Sequence, residues 1–277
     1  MNGRWHKALI LVLAGAAALS MACNIEMASA SSSEVVEETL PLTSGGVFHL
    51  DNVNGSVTLR EWDREEVHVH AEKTAYGTTE DQARESLAKL KVEFSAVPGE
   101  VRVNTVFPKK KGFSLCCQKG GRVIYTVDLP KGTDVRVETV NGKVIADTGT
   151  CLLHVTSVNG RIDVAAAKAL EAATVNGKVL FSAQSVHSVG TTNGAIEGTI
   201  LGPQTSSADI GTVNGSVRIT LGSELSAVIE GENVNGSVHC EIPGFTVKKH
   251  RLGGTWNGGG PSVLIDTVNG SITVSGS

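Results

Sequence analysis

The chain has 277 residues and is 40% hydrophobic, which is enough apolar content for one long or two ordinary domains and excludes a wholly disordered protein. Aromatic residues make up 4% of the chain while glycine occurs 32 times, so the interior must consist of aliphatic side chains close to tight turns, and no large ligand pocket is expected. The net charge of -4 gives no strongly basic nucleic-acid footprint, and we predict no nucleic-acid partner.

The N-terminal residues 1–22 are predicted to be a signal peptide. Arg4 and Lys7 precede an uncharged apolar run over 8–22, which is too short to cross a bilayer comfortably as a permanent helix. A positively charged start followed by such a run is typical of an export signal. We therefore predict that the protein leaves the cytoplasm.

Two cleavage sites compete after this signal. Residues 19–23 resemble the bacterial lipobox, whose cysteine is lipidated and becomes the first mature residue, so we predict lipidation of Cys23 and attachment to a membrane of the cell envelope. Cleavage before Ser31 is the alternative and would give a secreted or periplasmic protein. Residues 23–42 are acidic and serine-rich, which predicts a flexible tether ahead of the folded part at 43–277.

Eight copies of Val-Asn-Gly, one with Thr192 in place of valine, recur along the chain. From the second copy onward the asparagines lie 18, 17, 17, 21, 21 and 34 residues apart, and a unit of this size is typical of stacked β architectures. Both residues of the Asn-Gly pair tolerate positive φ, so each pair is predicted to form a sharp corner. The corner residues are Asn54, Gly55, Asn141, Gly142, Asn159, Gly160, Asn176, Gly177, Asn193, Gly194, Asn214, Gly215, Asn235, Gly236, Asn269 and Gly270.

Apolar residues alternate with polar ones on both sides of each corner, which predicts two strands with one buried face each. The third residue after each asparagine is always valine or isoleucine: Val57, Val144, Ile162, Val179, Ile196, Val217, Val238 and Ile272. We predict an all-β fold, a β-solenoid similar to a parallel β-helix, with the corners of successive coils in register; eight separate hairpins are the alternative. The Thr, Ser or Asn two residues before each corner asparagine is interpreted as bonding locally to the turn, and a flat binding surface is its alternative.

A segment at about 60–130 interrupts the repeat and is predicted to be a small α+β insertion that caps the open end of the solenoid. Thr79 and Gln82 form a capping-box pattern, so a helix is expected over about 80–89. Strands are expected over 66–73, 91–96, 100–107 and 122–129, with Pro98 and Gly99 as a hairpin turn.

A basic, cysteine-containing loop lies inside this insertion at 109–119. We interpret it as a solvated loop, and contact with anionic headgroups or polysaccharide is the alternative. Lipidation of Cys23 would leave an even number of cysteines, which is compatible with disulfides of undetermined connectivity in an exported protein. These residues are Cys116, Cys117, Cys151 and Cys240.

Candidate catalytic and metal-binding patterns are sparse. His68 and His70 alternate on one predicted strand, but no third ligand follows at a suitable spacing, so an ordinary strand face is the preferred interpretation. The sequence contains no Ser-His-Asp order, phosphate-binding loop or nucleotide fingerprint. We therefore predict no catalytic residue, no metal site and no cofactor.

Four stretches of the chain together resemble a known family. They are 46–57 followed by Trp62-Asp63, 128–135, the run of Val-Asn-Gly units, and the glycine-rich 252–261 that precedes 266–272. These stretches are similar to the bacterial "putative adhesin" β-strand-repeat family, a domain of unknown function, over about residues 40–275. The resemblance implies an adhesin-like β-repeat domain and transfers no catalytic or binding residue. The Cys116-Cys117 loop departs from the family's pattern.

These observations predict a non-enzymatic, adhesin-like envelope lipoprotein that presents a β-solenoid surface to other macromolecules, with a surface glycan or an envelope protein as partner. A polysaccharide-active β-helix enzyme is one alternative, which would need carboxylates and basic residues on one face. An accessory protein of envelope stress or signalling is another. The oligomeric state is not determined by the sequence.

The lipobox makes a prediction about the mature N-terminus. We expect mass spectrometry of the protein from its bacterial membrane to find a lipid-modified Cys23 as the first residue. Recovery of a mature chain that begins at Ser31 would refute lipidation.

Overall fold

Side chains alternate between buried and exposed along most strands, because successive residues of a strand point to opposite faces. In Asp134–Asn141, for example, Val135 and Val137 are buried while Arg136 and Glu138 are exposed. The computed structural model describes residues 30–107 and 121–277, and within these ranges the protein is all-β with one helix, as predicted.

The strands divide into an N-terminal group, which includes the helix, and the strands of the later repeats. The first group is β1 (Ala30–Pro41), β2 (Val47–Asp51), β3 (Val57–Trp62), β4 (Glu66–Gly77), α1 (Glu80–Lys89), β5 (Lys91–Val97), β6 (Glu100–Val106) and β7 (Arg122–Pro130). The second group is β8 (Asp134–Asn141), β9 (Val144–Asn159), β10 (Ile162–Asn176), β11 (Val179–Ala183), β12 (Ser185–Asn193), β13 (Ile196–Ile200), β14 (Ala208–Asn214), β15 (Val217–Leu221), β16 (Ala227–Asn235), β17 (Val238–Cys240), β18 (Thr246–Lys248), β19 (Arg251–Trp256), β20 (Ser262–Asn269) and β21 (Ile272–Gly276). No helix in the described ranges is long and apolar enough to cross a membrane.

Strands that lead into the corners pair in parallel with one another, and strands that leave the corners do the same. The incoming ladder contains, in spatial order, β2, β8, β9, β10, β12, β14, β20 and β16. The outgoing ladder contains β3, β9, β10, β11, β13, β15, β21 and β17. The long strands β9 and β10 contribute to both. Buried side chains from the two ladders belong to one continuous apolar core.

The corner asparagines lie side by side and form a row of hydrogen bonds. In each bond Nδ2 of one asparagine donates to Oδ1 of the next, over 2.8–3.0 Å. The spatial order of this corner row is Asn54, Asn141, Asn159, Asn176, Asn193, Asn214, Asn269 and Asn235. The alternative of eight hairpins is wrong, since β12 pairs with β10 and β14 whereas β13, which follows it, pairs with β11 and β15.

We call a corner together with its incoming and outgoing strands a coil. Close contact between neighbouring coils explains the corner glycines better than the predicted positive φ does. Only Gly55 (φ 116°) and Gly236 (φ 141°) have a positive φ among the sixteen corner residues, so the conformational prediction is wrong for the others. A Cβ on Gly177 would overlap the carbonyl oxygen of Gly160, and a Cβ on Gly160 would overlap that of Gly142. The same contact recurs at Gly142, Gly194, Gly215, Gly270 and Gly236. Glycine is therefore needed because its Cα packs directly on the peptide of the next coil.

The polar row two residues before the corner asparagines is buried and bonds to the corners. Thr hydroxyls donate to the carbonyl oxygen of a corner glycine in the neighbouring coil at 2.9–3.2 Å. The donors are Thr174, Thr191, Thr212 and Thr267. Asn52 and Asn233 donate to corner carbonyls through their amides, while the buried hydroxyls of Thr139 and Ser157 have no hydrogen-bond partner among the described residues. Every residue of this row is at most 6% exposed, which rules out the flat binding surface.

The predicted flexible tether at 23–42 is wrong for Ala30–Pro41, which form β1. This strand pairs with β4 along its full length in antiparallel register. Its glutamates lie opposite basic groups: Glu34 contacts Lys73 at 2.7 Å, and Glu37 contacts His70 at 2.8 Å. Charged residues of this kind are common on edge strands, so the composition that predicted a solvated tether also suits an exposed strand.

The insertion follows the sequence prediction closely. The helix α1 is confirmed, and its N-cap Thr79 accepts a hydrogen bond from the backbone nitrogen of Gln82 at 3.3 Å. The four predicted strands are confirmed as β4, β5, β6 and β7, and Pro98 and Gly99 join β5 to its antiparallel partner β6. Antiparallel strands β1 and β4 extend the outgoing ladder beyond β7, so this end of the stack is covered.

The C-terminal coil does not follow chain order. Strands β20 and β21 lie between the coil of β14 and β15 and the coil of β16 and β17, although they come last in the sequence. The 34-residue spacing before Asn269 accommodates the antiparallel strands β18 and β19, which cover β16. The predicted stacking of successive coils is therefore wrong at this end.

A disulfide between Cys151 and Cys240, the one pair of the candidate cysteines that the structure describes, is excluded. Cys151 on β9 and Cys240 on β17 are free thiols. Their strands are six apart in the outgoing ladder. That separation is roughly 29 Å at about 4.8 Å per strand, whereas a disulfide needs Cα atoms within about 7 Å. Cys116 and Cys117 lie outside the described residues.

The corner contact predicts unequal effects of two neighbouring substitutions. Gly177→Val should destabilise the protein by about 3 kcal/mol, because its side chain would overlap the Gly160 peptide. Asn176→Ala should cost about 1 kcal/mol, because it removes two links of the corner row. Urea unfolding measures both. Gly190→Ala is the control, since a Cβ there meets nothing closer than 3.9 Å. Equal loss of stability in the two glycine variants would contradict the steric explanation.

The environment of the thiols predicts their relative reactivity. Burial raises the pKa of Cys151 to about 11, so almost no thiolate is present at neutral pH, whereas Cys240 is only partly buried. We expect iodoacetamide to label Cys240 in the native protein and Cys151 only after unfolding, as followed by peptide mass spectrometry. Labelling of both residues at the same rate in the native protein would show that Cys151 is not sealed in the core.

Candidate functional site

The outer face of the outgoing ladder carries a cluster of charged side chains. They come from the second and fourth residues after the corner asparagines, which point away from the core because the residues between them are buried. We call this set the ionic face: Lys143, Arg161, Asp163, Lys178, Glu197 and Arg218. It contains four cations and two carboxylates on a chain whose net charge is -4, so it is a locally basic surface.

Asp163 is held between cations of two coils. Lys143 Nζ lies 2.6 Å from its Oδ2, and the Arg161 Nε donates to its Oδ1. Burial by itself would raise the pKa of Asp163, but the hydrogen bonds and charges of Arg161 and Lys143 outweigh this effect and lower the pKa. The Asp163 side chain is 19% exposed and ionised at neutral pH.

Glu197 links cations from coils on either side of it. Its Oε2 contacts Lys178 Nζ at 2.8 Å, and its Oε1 contacts Arg218 Nη1 at 3.4 Å. The hydrogen bond from Lys178 lowers the pKa of Glu197. Burial opposes this effect, but the charges of Lys178, Arg218 and Arg161 also lower the pKa, so that the net shift is downward. Glu197 is therefore also ionised, while Arg218 remains 63% exposed.

An open groove of about 360 Å³ lies beside Glu197 and Arg218. Ala165 and Leu180 give it apolar surface, and a row of hydroxyls crosses it at Ser182, Thr199 and Thr220. Gly198 lies at the groove because the ring of Phe181 occupies the space that a side chain there would need. The groove therefore combines apolar, hydroxyl and charged groups on a rigid parallel sheet, which suits binding of a polar molecule.

The two carboxylates are poorly suited to acid–base catalysis. Asp163 and Glu197 lie in register on strands that are two apart, which is roughly 9.6 Å in a sheet. Hydrolysis of glycosides by two carboxylates needs one of them protonated, with a raised pKa. Both pKa values are lowered here, so the ionic face lacks a general acid.

The candidate histidines lie on β4 and contact different carboxylates. His68 Nδ1 is 3.4 Å from Asp128, and His70 Nδ1 is 2.8 Å from Glu37. In the parts of the chain that the structure describes, no group of three His, Cys, Asp or Glu side chains is placed to hold a metal ion. The two histidines therefore make hydrogen-bond contacts that join β4 to β7 and β1.

Other predicted sites fall outside residues 30–107 and 121–277. They are the lipidation site Cys23 and the whole basic loop at 109–119, which includes Cys116 and Cys117. The corner residues, by contrast, all lie within the described ranges, where the asparagines form the corner row and the glycines make the close contacts described above.

The ionic face was missed from the sequence because its members belong to different repeats. Lys143, Arg161 and Lys178 occupy one row, but Asp163 and Glu197 lie in the next row and are separated by Leu180. The residues that directly follow the corner glycines include basic ones but no carboxylate. Aligning the repeats on the fourth residue after asparagine would have revealed the two acids.

No family model and no curated protein matches the chain, whereas eleven chains of solved structures do. One is a "putative cell adhesion protein" from Clostridium sporogenes, with 13% identity, coverage of 88% of this chain and 100% of that chain, and a TM-score of 0.41. A "putative adhesin" from Bacteroides fragilis has 11% identity, coverage of 88% and 97%, and a TM-score of 0.39. A "putative lipid binding protein" from Parabacteroides distasonis has 12% identity, coverage of 87% and 96%, and a TM-score of 0.36. The similar solved structures thus include proteins with the description that the sequence resemblance named.

Proposed function

We propose that the chain is an exported, non-enzymatic, adhesin-like protein whose β-solenoid presents the ionic face to other macromolecules of the cell envelope or its surroundings. The ionic face and its groove are the observation that carries this proposal. Membrane attachment through Cys23 belongs to the same proposal.

The solenoid interpretation is supported by the pairing pattern. Two parallel ladders meet at corners that lie in register, as in coils that stack along one axis. Stacking makes the outer face regular, because residues at equivalent repeat positions come to lie next to one another about 4.8 Å apart. Such a face can contact an extended partner over several coils.

The non-enzymatic interpretation is supported by the ionised state of the two carboxylates of the ionic face. Asp163 and Glu197 are both bound to cations that lower their pKa values, so neither supplies the proton that a leaving group needs. The groove is also shallow and open to solvent, unlike a site that excludes water from a reaction. These features favour binding over the alternative of a polysaccharide-active enzyme.

Binding and turnover should be measured together on one panel. We expect the purified mature protein to bind at least one member of a panel of glycans, peptidoglycan and matrix proteins, without hydrolysing any of the glycans. Thr199→Trp should abolish this binding because it fills the groove, whereas Thr255→Trp, on exposed β19, should not.

Thermal melting of both tryptophan variants checks that they remain folded. Binding that survives Thr199→Trp would place the contact elsewhere on the molecule. Hydrolysis of a panel glycan would support the enzyme alternative, and absence of any binding would refute the adhesin-like role.

A further inference from the structure

We infer that the groove of the ionic face binds a polysaccharide that carries anionic groups; this inference rests on the proposed function and names the ligand class for its site. The chemical features of such a ligand are anionic groups, hydroxyls and sugar rings with apolar faces. Each has a counterpart among the residues that line the groove.

Arg218 supplies the contact for an anionic group. Within the described residues its side chain has one hydrogen-bond partner, Glu197, through Nη1 at 3.4 Å. A guanidinium has five N–H donors in a planar fork, so Nε and Nη2 remain able to bind two oxygens of a carboxylate or sulfate. The side chain is 63% exposed, and a ligand can reach it without moving the sheet.

The neighbouring surface supplies contacts for a sugar ring. Thr199 and Thr220 lie on adjacent strands of the outgoing ladder and offer hydroxyls on one side of the groove. Leu180 and Ala165 offer apolar surface on the other side. A site with a small number of polar groups around apolar surface fixes the orientation of a ligand through the polar groups.

The arrangement favours a polymer over a single sugar. A second group of cations, Lys143 and Arg161 around Asp163, lies on strands next to those of the Glu197 group. The two carboxylates that organise these groups are roughly 9.6 Å apart across the strands. A chain that crosses the strands can therefore contact both groups, and its second contact gains from the high effective concentration that the first one creates.

The local charge of the ionic face favours an anionic polymer over a neutral one. The four cations of the ionic face exceed its two carboxylates, so an anionic chain is attracted while the rest of this acidic protein repels it. Glu197 opposes the attraction, since it is itself an anion beside Arg218. Removal of this one charge should strengthen binding if the ligand is anionic.

The test measures binding of the mature protein to polygalacturonate, heparin, dextran and single-stranded DNA by calorimetry at two salt concentrations. We expect polygalacturonate or heparin to bind, with weaker binding at higher salt. A preference for polygalacturonate would identify carboxylate as the anionic group, and a preference for heparin, which carries both groups, would show that sulfate contributes. Dextran should not bind. Single-stranded DNA, a polyanion with a different backbone, should bind at least about tenfold more weakly than the acidic glycan.

Three variants test the role of Arg218. Arg218→Gln should weaken binding of the acidic glycan about tenfold, through loss of a charge-assisted contact. Arg251→Gln is the matched control, because Arg251 is 69% exposed and pairs with one glutamate, Glu232, at 2.9 Å on another strand. It should change binding less than about twofold. Glu197→Gln should tighten binding, and thermal melting confirms that each variant is folded.

Dextran or DNA binding as tight as the acidic glycans, equal effects of Arg218→Gln and Arg251→Gln, or weaker binding by Glu197→Gln would overturn the inference. A protein that binds a neutral glycan or a matrix protein of the wider panel, but no acidic glycan, would retain the proposed function and refute only this ligand class. A protein that binds no member of the wider panel refutes both.

Discussion

Direct contact between the corners of neighbouring coils is the constraint on which the rest of the structure depends. The Cα of each corner glycine packs on the peptide of the next coil, while the asparagine beside it donates one amide hydrogen bond and, inside the row, accepts another. These two contacts leave little freedom in the relative height of adjacent coils. They therefore set the register of both ladders, and register decides which side chains of each strand enter the core.

The buried polar row strengthens this constraint. The threonine two residues before asparagine donates to a corner carbonyl of the neighbouring coil, so a backbone acceptor at the tightest point of the fold is satisfied. Asparagine, glycine and threonine thus act as one unit across two coils. The strands on either side need only be apolar on one face, which is why their outer residues can vary and can carry the ionic face.

Antiparallel strands extend one ladder at each end of the stack. They move the edge of the sheet from the repeat strands to β1 and β18, and β1 carries the charged side chains that are common on edge strands. At the N-terminal side β1 and β4 extend the outgoing ladder, and at the other side β19 and β18 extend the incoming one. Insertion of the last coil between two earlier ones places β20 between two paired neighbours.

Much of the local structure was determined by the sequence alone. The alternation of apolar residues, the positions of the corners, the helix after Thr79 and the turn at Pro98 and Gly99 each depend on residues close together in the chain, so local propensity was enough to predict them. Tertiary structure decided the rest: that 30–41 form a paired strand, that glycine serves contact more than φ, that the last coil is inserted, and that Asp163 and Glu197 lie among cations of other repeats. These features arise from contacts between coils, and a contact between residues far apart in the chain leaves no periodic signal in either segment by itself.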